Sequence, residues 1–358
     1  MPANIPVKAF ALSLSLLAST AIADAADGVA TGDTSSKKIA FSNSYAGNSF
    51  RQVMIKSFEE MGAKAKSDGK IAGTAVVSSN NSVTEQASQI QNLILQGYDA
   101  IIVLAGSDTA LNGAIKDACN AGIVVVAFAS GVTEPCAYVV DYNLDSYAKA
   151  ELDFIASKLG DKPANILEIR GMAGDGFDKR LNEGVNKALA VHSKYKKVGE
   201  VYGQWTATVA QKEVSGVLPS LPEIDAVLTQ GGDGYGAAQA FKAANRKLPI
   251  IIMGNRQDEL ALWAQEHDAS GYETFSLGAT PSVSQVAFWV AQQILAGKKV
   301  PKFVEVPLLQ IRQPDLNAWL KTVPEGGVVN AEYPQGLVAN IIDANIKKEP
   351  LPMVPAPN

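Results

Sequence analysis

Residues 100–105 read AIIVLA, and residues 122–129 read GIVVVAFA. Neither run alternates polar with apolar residues. A strand with one wet face would alternate, so these segments should be buried on both faces, as in a parallel sheet covered by helices. The same grammar extends in both directions from these runs. Strands are expected at 38–42, 73–78, 100–104, 123–128, 137–140, 164–169, 197–202, 225–229, 249–253, 272–277 and 303–309. Helices are expected at 49–67, 82–96, 109–121, 145–160, 176–193, 207–218, 234–246, 258–268 and 281–297. Gly97, Gly122, Gly160 and Gly297 stand where helices should end. Alternating strands and helices imply right-handed crossovers and a doubly wound α/β architecture. So many strands exceed one compact sheet, which points to two domains with a break near Asp141-Tyr142-Asn143.

Bulk properties fit that reading. The chain has 358 residues, enough for two ordinary domains. It is 47% hydrophobic and 19% charged, as a packed soluble protein should be. The net charge of −5, without a basic cluster, argues against nucleic acid as a partner. Near the start, Ala9 to Ala23 is apolar, too short to span a bilayer comfortably, and ends in the A-x-A pattern Ala21-Ile22-Ala23. Residues 1–23 therefore read as a cleaved signal peptide, which places the mature protein in the periplasm. Residues 24–36, DAADGVATGDTSS, read as a flexible leader. His192 and His267 lie in polar helical contexts and make no metal site, so neither metal nor cofactor is expected. The two cysteines, Cys119 and Cys136, are too few for a disulfide scaffold, but an exported chain can pair them.

Residues 41–51, FSNSYAGNSFR, join a strand to a long helix through amides, hydroxyls and the rings of Tyr45 and Phe50. A phosphate-cradling turn would carry G-x-x-x-x-G-K-[ST] or G-x-G-x-x-G, and neither is present. Ligands of such sheets bind beyond the carboxyl ends of the strands. The polar turns at 42–49, 105–108, 171–176, 230–234 and 254–257 should then line one cleft between the domains. GGDGYG at 231–236 has the wrong glycine spacing for a dinucleotide site, and the chain contains no G-x-S-x-G or H-E-x-x-H. An enzyme is therefore not expected.

Several segments, taken in order, carry a resemblance. They are IAFSNSYAGNSF, ASQIQNLILQGYDAIIVLAGSDTAL, NAGIVVVAFAS, ILEIRGMAGDGFDKRLNEGV, AVLTQGGDGYGAAQAF and IIIMGN. From about Lys38 to about Gln310 the chain resembles the type I periplasmic sugar-binding proteins of ABC importers, the ribose-binding-protein-like group. The resemblance implies three crossings between domains, near 141–143, 278–280 and 305–309, with Asp141 at the hinge. Residues 37–141 plus 280–307 would form one domain and 142–279 the other. Residues 308–358 would be a C-terminal strap, with a helix near Leu337–Lys347. The implied partners are a small sugar or polyol, a membrane permease and a cytoplasmic ATPase, with the binding protein acting as a monomer. A receptor that presents ligand to a chemotaxis or sensor protein shares this chemistry and stays open, and an exported hydrolase is the remaining alternative.

Residue by residue, the implied ligand contacts are Asn48 and Phe50 in the first turn, Trp205 in YGQWTA, Gln230, and Asn255. Amides donate and accept to hydroxyls, and rings cover apolar sugar faces. The sequence departs from the family pattern at three places. The usual Asp-Arg pair is Ala129-Ser130, a second aromatic is Arg51, and the usual helix arginine is Leu181 with Arg180 one place earlier. Arg51 and Arg180 are candidates for either the cleft or solvent. A sugar or sugar alcohol other than ribose is the expected ligand. The same topology bears on the cysteines. Strand 123–128 climbs to the ligand edge and strand 137–140 must climb to it again, so the loop 130–136 descends the sheet and returns Cys136 to the level of Cys119. A bridge is then expected, two free thiols being the alternative.

Overall fold

A computed structural model describes Met1, residues 28–354, Ala356 and Pro357. The signal-peptide assignment, Met1 apart, and the first residues of the leader lie outside the described residues. The first domain is built on β1 (Lys38–Asn43), β2 (Gly73–Ser78), β3 (Ala100–Leu104), β4 (Val124–Phe128), β5 (Tyr138–Asp141) and β11 (Phe303–Glu305). These form one parallel sheet in the order β11-β5-β4-β3-β1-β2. The second has β6 (Ala164–Arg170), β7 (Tyr195–Tyr202), β8 (Ala226–Thr229) and β9 (Ile250–Ile251), parallel in the order β7-β6-β8-β9. β3 is buried along its whole length, as its unbroken apolar run requires. β10 (Ser276–Gly278) and β12 (Leu309–Ile311) pair antiparallel.

The helices are α1 (Ser49–Ser67), α2 (Val83–Leu95), α3 (Asn112–Asn120), α4 (Leu144–Leu159), α5 (Gly176–Val191), α6 (Ala207–Val217), α7 (Gly234–Ala243), α8 (Gln257–Ser270), α9 (Val283–Leu295), α10 (Leu316–Leu320) and α11 (Gln335–Lys347). Local chemistry sets several starts. Asn48, Ser82, Asn143 and Asp175 each accept a backbone N–H from the first turn that follows. α9 is buried from Val283 through Gln293, on every face. It lies against β3 and β4 on one side and α11 on another. A helix apolar nearly all round needs such a double cover.

Cys119 and Cys136 are bridged, with Cα atoms 6.4 Å apart. Thr133 N donates to Asp108 O as the loop between β4 and β5 descends. Three expectations are corrected. The strand expected at 303–309 is two strands in different sheets, parted at Pro307. Proline has no N–H for a ladder. The leader is not loose over its described part. Gly28 N donates to Asp343 Oδ2, Ala30 N to Gln293 Oε1, and Thr34 Oγ1 to Lys70 O. The helix 281–297 begins only at Val283, because Thr280–Ser282 belong to a turn in which Val283 N donates to Thr280 O.

Candidate functional site

The turns after β1, β3, β4, β6, β7, β8 and β9 lie at the carboxyl ends of their strands, and the two domains meet there. In the second domain a chain of polar groups runs up to the rim. Asp178, on the first turn of α5, is almost fully buried. Its carboxylate accepts from Arg170 Nε (3.1 Å) and Nη2 (2.6 Å), Gly171 N (3.0 Å) and Gln230 Nε2 (2.9 Å). Gln230 Oε1 in turn accepts from Trp205 Nε1 at 3.2 Å. Both ends of the Gln230 amide are thus used to aim the indole. Gln204 and Trp205 take left-handed backbone angles, φ 57° and 53°, a strained turn of the kind held at binding sites. The indole rests on bare backbone, since a Cβ on Gly171 would stand 2.4 Å from Trp205 Cε2. The Phe177 ring meets it edge-on at 6.4 Å.

Below this rim, Glu259 ties two turns together. Its carboxylate accepts from Gly232 N, Gly234 N, Gly254 N and Arg256 N, at 2.9–3.3 Å. Asp233 Oδ1 accepts Thr206 N at 3.0 Å and fixes the Trp205 loop from behind. Burial raises both carboxyls from their ordinary values, well above for Asp233, where the neighbouring Glu259 charge adds to the effect. Arg256 lies over this group. Its Nη2 donates to Trp205 O (3.4 Å), and its Nη1 reaches Ser49 Oγ of the first domain (3.2 Å).

The first domain's rim is mostly neutral. Asn43 Nδ2 donates to Tyr45 O and Ser78 Oγ. Gln86 Nε2 donates to Leu104 O, and its Oε1 accepts Gly106 N. Ser130 Oγ donates to Phe128 O and accepts Ala105 N, so the place of the missing Asp-Arg pair is spent on joining two strand ends. Asn48 is exposed, and its Oδ1 caps α1 by accepting Arg51 N at 2.9 Å. Phe50 is half-buried against the first domain's core. Burial lowers the Arg51 guanidinium to about 10, and the Asp175 charge opposes that shift, so it stays a cation at neutral pH. The Asp108 carboxylate is brought up close to the second domain: a Cβ on Gly176 at the start of α5 would stand 3.1 Å from its Oδ2.

Where the chain first passes between the domains, Asp141 is fully buried and Arg180 Nη1 donates to its Oδ2 at 2.8 Å. Burial raises the Asp141 carboxyl, and Arg180 opposes the shift. Val306 N donates to Asp141 O, and Thr280 N to the Tyr142 hydroxyl, so three chain crossings lie side by side. Asn255 Nδ2 donates to Ala279 O at 2.8 Å and is held by that crossing.

The structure therefore joins Trp205 to Gln230, Arg180 to Asp141, and Asn48 to the backbone of Arg51. Asn255 is turned to the backbone of Ala279, and Phe50 to the core. Sequence reasoning missed Asp108, Asp178, Phe177 and Arg256. No local pattern marks Arg256, because its partners, Ser49 Oγ and Trp205 O, are remote in sequence. Two surface hollows, of about 520 and 280 Å³, lie elsewhere, the larger between α6 and α7 and the smaller beneath β8 and β9. Neither contains a rim residue, so the polar groups converging between the domains define the site. Among the described residues no group of acids, histidines or cysteines is arranged to hold a metal.

Residues 39–299 match the family model described as periplasmic binding protein domain. The chain belongs to the periplasmic binding protein family. Among its relatives in that family is the xylitol-binding protein of Mycolicibacterium smegmatis, 32% identical over 187 residues, which are 51% of this chain. The match spans only 53% of that relative's own length. The ribose import binding protein RbsB of Haemophilus influenzae is 24% identical over 256 residues, 70% of this chain and 85% of its own. An ABC transporter solute binding protein from Thermobispora bispora superposes with a TM-score of 0.79 at 33% identity. That superposition covers 90% of this chain and 99% of the other. The fold is the two-domain, type I arrangement of parallel-sheet α/β domains.

Proposed function

We propose that this protein is the solute-binding component of an ABC importer, capturing a neutral sugar or sugar alcohol between its domains and delivering it to a membrane permease with its ATPase. The observation that carries the reading is the indole of Trp205, held by Gln230 and Asp178 on the bare backbone of Gly171, beside Arg256, which bridges the Trp205 carbonyl to Ser49 in the amide- and hydroxyl-rich first turn of the other domain. An aromatic wall with amides and hydroxyls opposite suits a polyhydroxyl ligand with apolar C–H faces. The printed names of two relatives, one for xylitol and one for ribose, agree with that chemistry. Loss of the Asp-Arg pair favours a ligand other than ribose. Asn48, Phe50, Arg51, Arg180, Trp205, Gln230 and Asn255 surround the ligand or set those that do. Residues 37–141 with 280–307 move against 142–279, Asp141 lies at the hinge, and the work is binding without turnover. Export by the signal peptide at 1–23 puts it in the periplasm.

A thermal-shift panel of pentoses, hexoses and polyols tests the reading. A ligand bound only by the folded form raises the melting temperature as its concentration exceeds the dissociation constant. A shift with one or a few polyhydroxyl compounds is expected. A shift with nucleotides or peptides alone would overturn it.

A further inference from the structure

The chain passes between the domains once more after the third crossing. Residues 313–320 return to the second domain, where α10 packs on α8. Residues 327–329 then pair with the turn that carries Asn255 and Arg256. Gln257 N donates to Gly327 O at 3.0 Å, Val329 N donates to Asn255 O at 2.9 Å, and Arg256 and Val328 form an antiparallel bridge. One residue further, the contacts change sides. Asn330 Nδ2 donates to Ser57 Oγ of α1 at 2.7 Å, Ser282 Oγ donates to Ala331 O, and Tyr333 N donates to Gln285 Oε1 at 2.9 Å. From there α11 lies on α9 and β11, with Asn345 accepting Glu305 N and donating to Glu305 O. Val328, Val329, Ala331 and Tyr333 are buried along this path.

We propose that residues 327–333 are a fourth interdomain tie that limits how far the cleft opens and holds Arg256 toward Ser49. Between Val329 and Asn330 there is no slack. Rotation of one domain against the other must stretch this segment or break the hydrogen bonds at one of its ends. The turn at one end also sends Arg256 across the cleft, so the tie and the cross-cleft contact share one piece of backbone. A shorter excursion from the closed form leaves less of the population open, and ligand escapes through the open form.

The test lengthens the tie and keeps both anchored ends. A flexible insert of about six Gly and Ser residues between Val329 and Asn330 adds roughly 13 Å of root-mean-square reach. Spin labels on Lys66→Cys and Lys212→Cys, attached without reductant, report the spread of interdomain distances in unliganded protein; both sites are exposed, one in each domain. The insert is expected to broaden that distribution, and to raise the dissociation rate of the best polyhydroxyl ligand on the order of threefold to tenfold. Superimposable distributions would overturn the proposal. Only the rate measurement rests on the sugar-binding reading. If no sugar or polyol binds either protein, that reading falls while the distances still judge the tie. If the insert abolishes a cooperative melt, Asn330→Ala is labelled in the same way. It removes only the bond to Ser57, and broadening supports the tie while an unchanged distribution overturns it.

Discussion

The two sides of the cleft are built on opposite electrostatic plans. Beneath the first domain's rim, the buried side chains that link the ends of β1, β3 and β4 are neutral, Asn43, Gln86 and Ser130, while the buried carboxylate at the end of β5, Asp141, is paired with Arg180 of the second domain. Gln86 and Ser130 each use a donor and an acceptor to join a carbonyl to an N–H without a charge, and Asn43 uses its Nδ2 donor. Beneath the second domain's rim the linkers are carboxylates: Asp178, Asp233, Glu259 and, deeper, Glu151. Carboxylates only accept, and the Gly-rich turns at 231–234 and 254–256 point several N–H groups inward at one place. A carboxylate satisfies a fan of donors that one amide cannot. The difference teaches where each domain is vulnerable. The first depends on covalent and apolar packing, the second on buried charge.

The largest expected effect follows from Asp178. Its removal leaves Arg170 with its bond to Glu200 and its place over the Tyr202 ring, and releases Gln230 and Gly171 N. Breaking a buried ion pair from one side costs about 3–5 kcal/mol. Asp178→Ala should destabilise the second domain by about 3 kcal/mol, the low end, because Glu200 still holds Arg170. Hydrogen exchange should show lost protection in β6 and α5 with β1, β3 and β4 unchanged. Uniform loss over both domains would break the comparison. Of similar size, and in the opposite domain, is opening of the Cys119–Cys136 bridge, which closes a loop with sequence separation 17. In the chain-entropy model that is worth about 3 kcal/mol. Cys119→Ser with Cys136→Ser should lower the denaturant midpoint of the first domain and leave exchange in β6 to β8 as it was.

Much of the architecture was legible because burial on both faces leaves no alternation to misread. AIIVLA is β3, and the alternation of strand and helix carried through both domains. The bridge was legible too, since topology alone put the two cysteines at one level. What was not legible depends on contacts remote in sequence. Gly28 meets Asp343, and Ala30 meets Gln293, so a polar leader that looks free locally is fastened. The split at Pro307 was present in the sequence as a residue unable to join a ladder. In the site, residue types were readable but their uses were not. Gln230 carries the right amide, yet both its ends are taken by Trp205 and Asp178. Asn255 likewise serves the carbonyl of Ala279. Whether an amide faces ligand or backbone is decided by neighbours from other strands, which local pattern does not name.

Next in size is the aromatic wall. Trp205→Ala should weaken polyhydroxyl ligand binding by about 2 kcal/mol, within the 1–3 kcal/mol range for a lost, partly desolvated contact. The fold should survive with little change, because the residue is half-buried at the rim. Calorimetric titration beside a thermal melt separates the two. Equal affinity with a large loss of stability would mean that the indole serves packing instead. A Gln230→Ala variant sharpens the point. It should lose affinity as Trp205→Ala does, since its amide only aims the ring, and the double variant should lose little more than either alone.

The smallest effect concerns pH and the charge buried under the second domain. Glu151 lies in α4, fully buried, and accepts one bond, from Thr229 N at 3.3 Å through Oε1. Its other oxygen is a buried acceptor with no partner among the described residues. Burial pushes its carboxyl well above the ordinary 4.5, with the charge of Glu168 pushing the same way and the Thr229 bond opposing. In the unfolded chain the group releases its proton near the ordinary value. In the native protein it keeps that proton to higher pH, so there the native state binds more protons than the unfolded one. Stability from this group is therefore full below the ordinary value and falls as pH rises toward the native value, by at most about 1.4 kcal/mol per pH unit. Glu151→Gln removes the titration and keeps an acceptor for Thr229. Between pH 5 and 7, read as roughly the range above the unfolded value, the variant's denaturation free energy should fall less with rising pH than that of the parent. Parallel curves would show that Glu151 ionises alike in both states and would overturn the prediction.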